Sequence, residues 1–279
     1  MRIYRIFKVG IKDFYLDVKE YAKIIRKINA HERGLEILTR HELEIYHRLP
    51  KDMYRVAPVL LVSAIPFANY VAFPLAYYFP RYLLSSHFWS LQQRIQFAVL
   101  DQKMKLKHYK PVFRCLQASL GTIKGDKLYP VWRQCIALLG SGLHPSPQHI
   151  SVCAKLFSER PYGLQSLSSK HLRSLLKMHN MHSGWRKRKR LTEHARIIHL
   201  MDLAIDREGG VGKLSHDDVR TACFLRGLNP TNMNAEETVV WLSDWVNLSK
   251  EVTEENLSLI LHFPILMSYN HPSNWVLIH

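Results

Sequence analysis

Apolar residues recur about every 3.6 positions along most of this 279-residue chain, the pattern of helices that pack by one face. Near the start, Ile11, Phe14, Tyr15, Val18, Tyr21, Ala22, Ile25 and Ile28 predict a helix whose other face carries Lys12, Lys19, Lys23, Arg26 and Lys27. A basic amphipathic helix of this kind either lies on an anionic membrane or packs on its own protein. Thr39-x-x-Glu42 has the spacing of a capping box and predicts a short helix running toward Pro50. The amphipathic pattern then stops. From Val56 to Pro80 no residue is charged. At about 1.5 Å per helical residue this stretch reaches about 37 Å, against a hydrocarbon core of about 30 Å. It predicts a transmembrane helix within residues 51–86, kinked at Pro58, Pro66 and Pro74 and bordered by Tyr77, Tyr78 and Tyr82 as interfacial aromatics. Ser63 and Asn69 are the local polar groups able to satisfy carbonyls freed by the prolines. The alternative is a hairpin buried in a soluble protein and broken at the prolines.

Beyond the apolar stretch the helical period returns and runs of alternating β-branched residues are absent. Gly and Pro punctuate it at Gly121 and Gly125, Gly140 to Pro147, Pro161 to Gly163, Gly209 to Gly212, and Gly227 to Pro230. The expectation is an all-α protein, with amphipathic basic helices over 1–50, the span over 51–86 and a helical domain over 87–279. About eight helices are expected between 87 and 270. An internal repeat supports this. Leu167-Ser-x-x-x-Leu172-Arg173-x-Leu175-Leu176-x-x-x-Asn180-Met181 matches Leu214-Ser-x-x-x-Val219-Arg220-x-Ala222-Cys223-x-x-x-Gly227-Leu228 at a constant offset of 47. Ser168 and Ser215 stand where helix N-caps belong. Asn180 and Gly227 stand where a left-handed C-terminal residue belongs, Arg226 just before the latter. Two copies are too few for a solenoid and predict paired helical hairpins.

Charge changes the picture. Lys and Arg number 39 against 23 Asp and Glu, a formal charge of +16, which points to polyanionic partners. The densest feature is Gly184-Trp185-Arg186-Lys187-Arg188-Lys189-Arg190. Five consecutive cations beside an indole suit a phosphate backbone with one stacked base. A nuclear import signal and a solvated helix start are the other readings. Within about 20 residues of the apolar stretch, the leading flank is the more basic, which places the N-terminus inside, and Lys103 to Lys110 blurs that count. Met1 to Arg33 mixes its cations with Asp13, Asp17, Glu20 and Glu32. It therefore reads as neither a secretory signal nor a mitochondrial presequence, and a form that has lost its targeting segment fits it.

The remaining chemistry is negative. Cys115, Cys135, Cys153 and Cys223 include no Cys-x-x-Cys pair and read as reduced, half-buried core thiols. Sixteen histidines invite a metal, but His41-Glu42 lacks the second histidine of a zincin helix, and His179 and His182 have no third ligand nearby. Asp206 to Asp218 has the outline of a calcium loop but lacks three oxygen donors. No phosphate-binding loop, nucleophile elbow or dinucleotide turn is present. No metal, cofactor or enzymatic activity is expected.

Several of these features together resemble the LETM family, the leucine-zipper/EF-hand transmembrane proteins. The similarity runs over about residues 35–270. It includes Leu38-Thr39-Arg40-x-Glu42, Arg55-x-x-Pro58, Ile65-Pro66-Phe67, Pro74 and Phe79-Pro80-x-x-Leu83-x-Ser85. It continues through Leu156-Phe157, the two repeat units, Ala222-Cys223-x-x-Arg226-Gly227-Leu228, Leu242-x-x-Trp245 and Leu257-x-Leu259-x-Leu261. The chain is most similar to the short branch without coiled coil or EF-hand. The resemblance implies a single-pass protein of the mitochondrial inner membrane with its C-terminal, ribosome-binding-type domain in the matrix. That orientation opposes the charge count. It implies ribosomes or other matrix proteins as partners, and a role in mitochondrial organisation and respiratory-complex biogenesis. A component of a cation/proton exchanger is the alternative, and a nuclear or outer-membrane interaction protein a third. The family's acidic residue after the Pro-Phe pair is missing here, where Ala68-Asn69-Tyr70 stands.

Overall fold

The structure is a computed structural model. It describes the backbone of residues 2–63, 65 and 67–278, and their side chains apart from 2–7, 63, 69, 72 and 73. The expected kink at Pro66 and the side chains of Ser63 and Asn69 lie outside the described residues. The described residues are all-α, without strands. The chain forms two compact units, 1–98 and 99–279.

The first unit contains α1 (Arg2–Ala30), α2 (Arg40–Ser63), α3 (Asn69–Tyr78), the short α4 (Pro80–Leu83) and the start of α5 (Leu91–Leu106). The packed face of α1 is offset by about one residue from the expected stripe. Gly10 and Ile24 are buried and Phe14, Asp17 and Tyr21 half-buried, while Ile11, Tyr15 and Ala22 are exposed. The reason is Gly10: a Cβ there would lie 2.8 Å from the His87 carbonyl oxygen and 2.9 Å from the Phe88 ring, so only glycine admits this approach. The rotation turns Asp17 inward, where its carboxylate meets Arg48 at 2.6 Å and His87 at 2.8 Å.

The Thr39 capping box forms. The Glu42 carboxylate accepts from the Thr39 N–H at 2.8 Å, and Thr39 Oγ1 accepts from the Glu42 N–H at 3.2 Å. The helix it opens does not stop near Pro50, however; α2 continues through Pro50 and Pro58 to Ser63. Burial of Leu43, Ile45, Leu49 and Val56 holds it together across the missing donors, a case of packing overriding propensity. Asp52 is buried 3.6 Å from Arg48 and 3.9 Å from Arg55. Burial pushes its carboxyl pKa up, opposed by Arg48, His87 and Arg55.

The single transmembrane span expected over 51–86 is corrected by the structure. The uncharged stretch is shared between α2 and α3, and among the described residues no helix is long and apolar enough to cross a membrane. Pro58 and Pro74 sit inside α2 and α3. The break falls between them, where Phe67 has φ +64, a left-handed conformation that a continuing α-helix cannot contain. α3 folds back on α2, so that Ala76, Leu84 and Trp89 form a small core with Val59, Leu83 and Phe97.

The second unit completes α5 and adds α6 (Tyr109–Ala118), α7 (Tyr129–Gly140), α8 (Pro147–Val152), α9 (Ser169–Met178) and α10 (Lys187–Arg207). It ends with α11 (His216–Leu225), α12 (Ala235–Lys250), α13 (Ser258–Ser268) and the short α14 (Pro272–Trp275). Every residue of α13 is buried, and α6, α10 and α12 pack around it. Polar groups carried into this core find partners, as their burial demands. Trp132 donates to Tyr162 at 2.9 Å, and Tyr162 donates to the Leu116 carbonyl at 2.8 Å. Arg226 donates to Asp202 Oδ1 through Nε and Nη2 at 2.9 and 2.5 Å, and Trp245 donates to Asp202 Oδ2 at 3.0 Å. The ring nitrogens of His171 and His262 meet at 2.9 Å, and burial pushes His262 down to about 4 and His171 further. All four cysteines are free, with Cys115 half-buried and the others buried.

Candidate nucleic-acid interface

The two repeat units fold as paired hairpins, α9 with α10 and α11 with α12. Ser168 Oγ accepts from the His171 N–H at 3.3 Å and Ser215 Oγ from the Asp218 N–H at 3.2 Å. At the other ends, Asn180 has φ +53 and Gly227 φ +91. Each is followed by a residue whose N–H reaches back five positions, Met181 to the Leu176 carbonyl at 2.8 Å and Leu228 to the Cys223 carbonyl at 3.0 Å. These are Schellman closures. Arg226 is turned into the core by its ion pair with Asp202, so it belongs to packing and not to a surface.

The loop from Met181 to Arg186 carries the basic run. Trp185 is 92% exposed, and it stands beside a shallow recess walled by Ser169 and Leu172 of α9 and by Ser183 to Lys189. An indole left in water without packing is costly surface unless something stacks on it. Arg186 follows in the left-handed region at φ +55 and starts α10 without a side-chain cap. No acidic residue occupies the first turn; Lys187, Arg188, Lys189 and Arg190 do. A helix N-terminus is the positive end of the peptide dipole and leaves backbone N–H groups unpaired. Cations placed there repel it, and an anion relieves both problems at once.

The five cations are not equivalent. Arg188 donates to the Leu167 carbonyl at 3.0 Å, and Arg190 donates to the His182 carbonyl at 2.7 Å. These two brace the loop. Lys189 lies 3.7 Å from Glu193 on the exposed helix surface, a weak pair. Arg186 and Lys187 have no carboxylate within ion-pair distance among the described residues. The cations best placed to meet a phosphate are therefore Arg186, Lys187 and, at small cost, Lys189, with the exposed Trp185 beside them for a base. Sequence spacing alone does not separate them from Arg188 and Arg190, because the distinction depends on carbonyls of residues 167 and 182.

The histidines do not assemble into a metal centre: among the described residues no group of three potential ligands comes together. His179 instead pairs with His194 at 3.2 Å and with the Leu261 carbonyl at 3.0 Å. The loop of Asp206 to Asp218 turns through Gly209 and Gly210, both at positive φ, and leads into the Ser215 cap.

Fold and surface together describe an all-α protein whose second unit is built on capped helical hairpins and presents a basic, tryptophan-bearing loop. The chain belongs to the family described as LETM1-like, RBD, whose sequence model matches residues 38–266. It is similar to the LETM1 domain-containing protein 1 of Xenopus tropicalis, 29% identical over 272 residues, covering 96% of this chain and 77% of that relative. It is likewise similar to the Homo sapiens protein of that name, 30% identical over 274 residues, covering 96% of this chain and 75% of the relative. No solved structure matches the chain.

Proposed function

We propose that this protein is a non-catalytic, membrane-anchored adaptor of the mitochondrial inner membrane. Its second unit engages ribosomes, and through them supports respiratory-complex biogenesis and mitochondrial organisation. The observation that carries the reading is the exposed Trp185 beside an uncapped helix start whose Arg186 and Lys187 face no carboxylate among the described residues. Ribosomal RNA offers both complements, phosphates for the cations and an unpaired base for the indole. Membership of the LETM1-like, RBD family supports this reading. The C-terminal unit then faces the matrix.

Co-sedimentation of the full chain with mitochondrial ribosomes across a salt series tests this. Log affinity falls linearly with log salt, and Arg186→Ala with Lys187→Ala shallows the slope by about one to two units. Trp185→Ala weakens binding by about 1–3 kcal/mol with little change of slope. Arg188→Ala destabilises the loop more than it alters the slope. Equal binding by wild type and the Arg186, Lys187 double variant at every salt removes this surface from the contact. Resistance to carbonate extraction of organelle membranes tests the anchoring separately.

A further inference from the structure

We infer that the recess between α6, the 158–168 segment and the start of α9 is a binding site for a backbone phosphate of single-stranded RNA, on the same strand whose base meets Trp185. The inference rests on the ribosome-engaging reading and adds to it a second contact, built from residues outside the basic run.

The recess measures about 590 Å³, within the size range of ligand sites. Three cations line it from three separate segments: Arg114 of α6, Arg160 before Pro161, and Lys170 in the first turn of α9. Hydroxyls of Ser119, Thr122 and Ser166 stand among them, and no carboxylate lines the wall. All three cations are exposed, and none has a carboxylate within ion-pair distance among the described residues. Arg160 also borders a neighbouring recess that holds Asp126, Glu159 and Glu255, so the heart of the site is Arg114 and Lys170. Lys170 reaches toward α6: burial raises the Cys115 thiol pKa, and the Lys170 ammonium opposes that rise. His171, in the same wall, is held neutral by burial and by its neighbour His262, and adds no charge.

Cations of one sign gathered in a concave wall repel one another and focus the field on an incoming anion. An arginine fork donates to two phosphate oxygens at once, and a lysine serves the same group as a point charge. The start of α9, the positive end of its dipole, lies in the same wall and adds to the field of these side chains. Continuity with the Trp185 surface commits the phosphate to RNA. Ser168 and Lys170 line this recess, while Ser169 and Leu172 line the one beside Trp185. The two therefore open on different sides of one turn of α9, across a helix about 10–12 Å wide. The bond from Arg188 to the Leu167 carbonyl ties the loop to the wall of the recess. At a rise of about 3.4 Å per nucleotide, a strand with one base stacked on Trp185 needs only a few more nucleotides to lay a phosphate here.

The test is fluorescence anisotropy of the full chain with a short labelled oligouridine RNA across a salt series. Arg114→Gln with Lys170→Gln is expected to shallow the log–log slope by about 0.7, the share of one phosphate on a single strand, which is roughly fourfold in affinity at about 0.15 M salt. Arg114→Lys with Lys170→Arg keeps the charge and is expected to keep the slope. Both positions are exposed, so the helix content stays unchanged by circular dichroism. An unchanged slope in the glutamine variant overturns the site, and a shallower slope for Arg186→Ala with Lys187→Ala in the same assay then leaves the Trp185 surface standing. The reverse pattern keeps the recess and removes the loop. Uridine monophosphate that binds the wild type and not the glutamine variant, with equal RNA slopes, overturns the strand and assigns the recess to a free nucleotide. Absence of oligouridine binding by the wild type overturns the inference, and ribosome co-sedimentation then decides the adaptor reading by itself.

Discussion

Gly227 is the position where a single added carbon is expected to cost most. Its φ of +91 is a left-handed value, costly for any residue with a Cβ and most of all for a β-branched one. The space is closed as well. A Cβ would press into Tyr109 Oη and come within 3.1 Å of Pro264 Cβ and 3.5 Å of Tyr109 Cζ. The Gly227 carbonyl lies within reach of four buried donors: Gln102 Nε2 at 2.5 Å, Tyr109 Oη at 2.7 Å, Asn274 Nδ2 at 3.0 Å and Ser268 Oγ at 3.1 Å. Movement of Tyr109 to admit the carbon therefore disturbs the group that joins α5, α6, α13 and α14. Backbone strain contributes about 1–3 kcal/mol and overpacking about 1–3 kcal/mol, so Gly227→Val is expected to lose about 2–6 kcal/mol. Urea unfolding of the full chain, followed by tryptophan fluorescence, measures this.

Two further variants separate the causes. Gly227→Asn keeps a side chain that tolerates left-handed backbone yet still places a Cβ against Tyr109; it remains strongly destabilised. Asn180 occupies the equivalent repeat position at φ +53, and Asn180→Gly is expected to be near neutral. Tyr109→Phe removes the oxygen that the new carbon meets, at a cost of about 1 kcal/mol for its hydrogen bond. In a double-mutant cycle with Gly227→Ala it should recover about 1–2 kcal/mol relative to additivity. A Gly227→Ala loss under about 0.5 kcal/mol, or strict additivity with Tyr109→Phe, refutes the steric reasoning.

The remaining predictions concern the same unit. Arg226→Met leaves the Asp202 carboxylate, fully buried, with Trp245 alone and should cost about 3–5 kcal/mol in urea unfolding; a loss under about 1 kcal/mol would mean the pair is solvated. Ser168→Ala and Ser215→Ala each remove an N-cap acceptor and should cost about 1 kcal/mol, additively because the caps are separate. His262 is held neutral down to about pH 4 by burial, whereas in the unfolded chain it takes a proton near pH 6.5. The unfolded state thus binds more protons between those values. Stability is flat above about 6.5 and falls by about 3 kcal/mol toward pH 4 from this group alone. His262→Leu should flatten that decline, and an unchanged slope would assign it to other groups.

Where the sequence is legible, the signal is local. The Thr39 to Glu42 box and the Ser168 and Ser215 caps are three-residue spacings with one geometric meaning, and they form the hydrogen bonds that meaning implies. Glycine or asparagine after an apolar run marks a left-handed closure because few residues accept that backbone. Where the sequence is opaque, long-range packing decides. The capping box reveals where α2 starts but not that Leu43, Ile45, Leu49 and Val56 carry it past Pro50. Hydropathy measures the length of the 56–80 stretch, not its path, and Phe67 is no recognisable turn residue. The face of α1 turned on Gly10, a residue that adds nothing to an apolar stripe. Within the basic run, only the loop's fold reveals that Arg188 and Arg190 hold carbonyls. Asp202 could have been noticed as an acid on the apolar face of α10, between Ile198 and Ile205, although its partner Arg226 could not.

The path of the uncharged stretch also bears on the choice between an adaptor and a cation/proton exchanger. A group that relays protons or cations at membrane depth must be ionisable or strongly polar. Between Val56 and Pro80 no Asp, Glu, Lys, Arg or His occurs. The nearest acid, Asp52, is one turn outside that stretch and buried between Arg48 and Arg55. Its neighbours draw its carboxylate into the ion pairs that hold α2, and a relay would have to break them at each transfer. On these grounds the stretch holds no relay group of its own, and any ion movement depends on groups supplied by another protein. Proton-coupled cation flux in vesicles containing only this chain is accordingly expected to stay at the level of empty vesicles. Asp52→Asn should lower the stability of the first unit without altering that flux. Flux above the empty-vesicle level that Asp52→Asn abolishes while the chain stays folded would reverse the argument and make Asp52 a transport site.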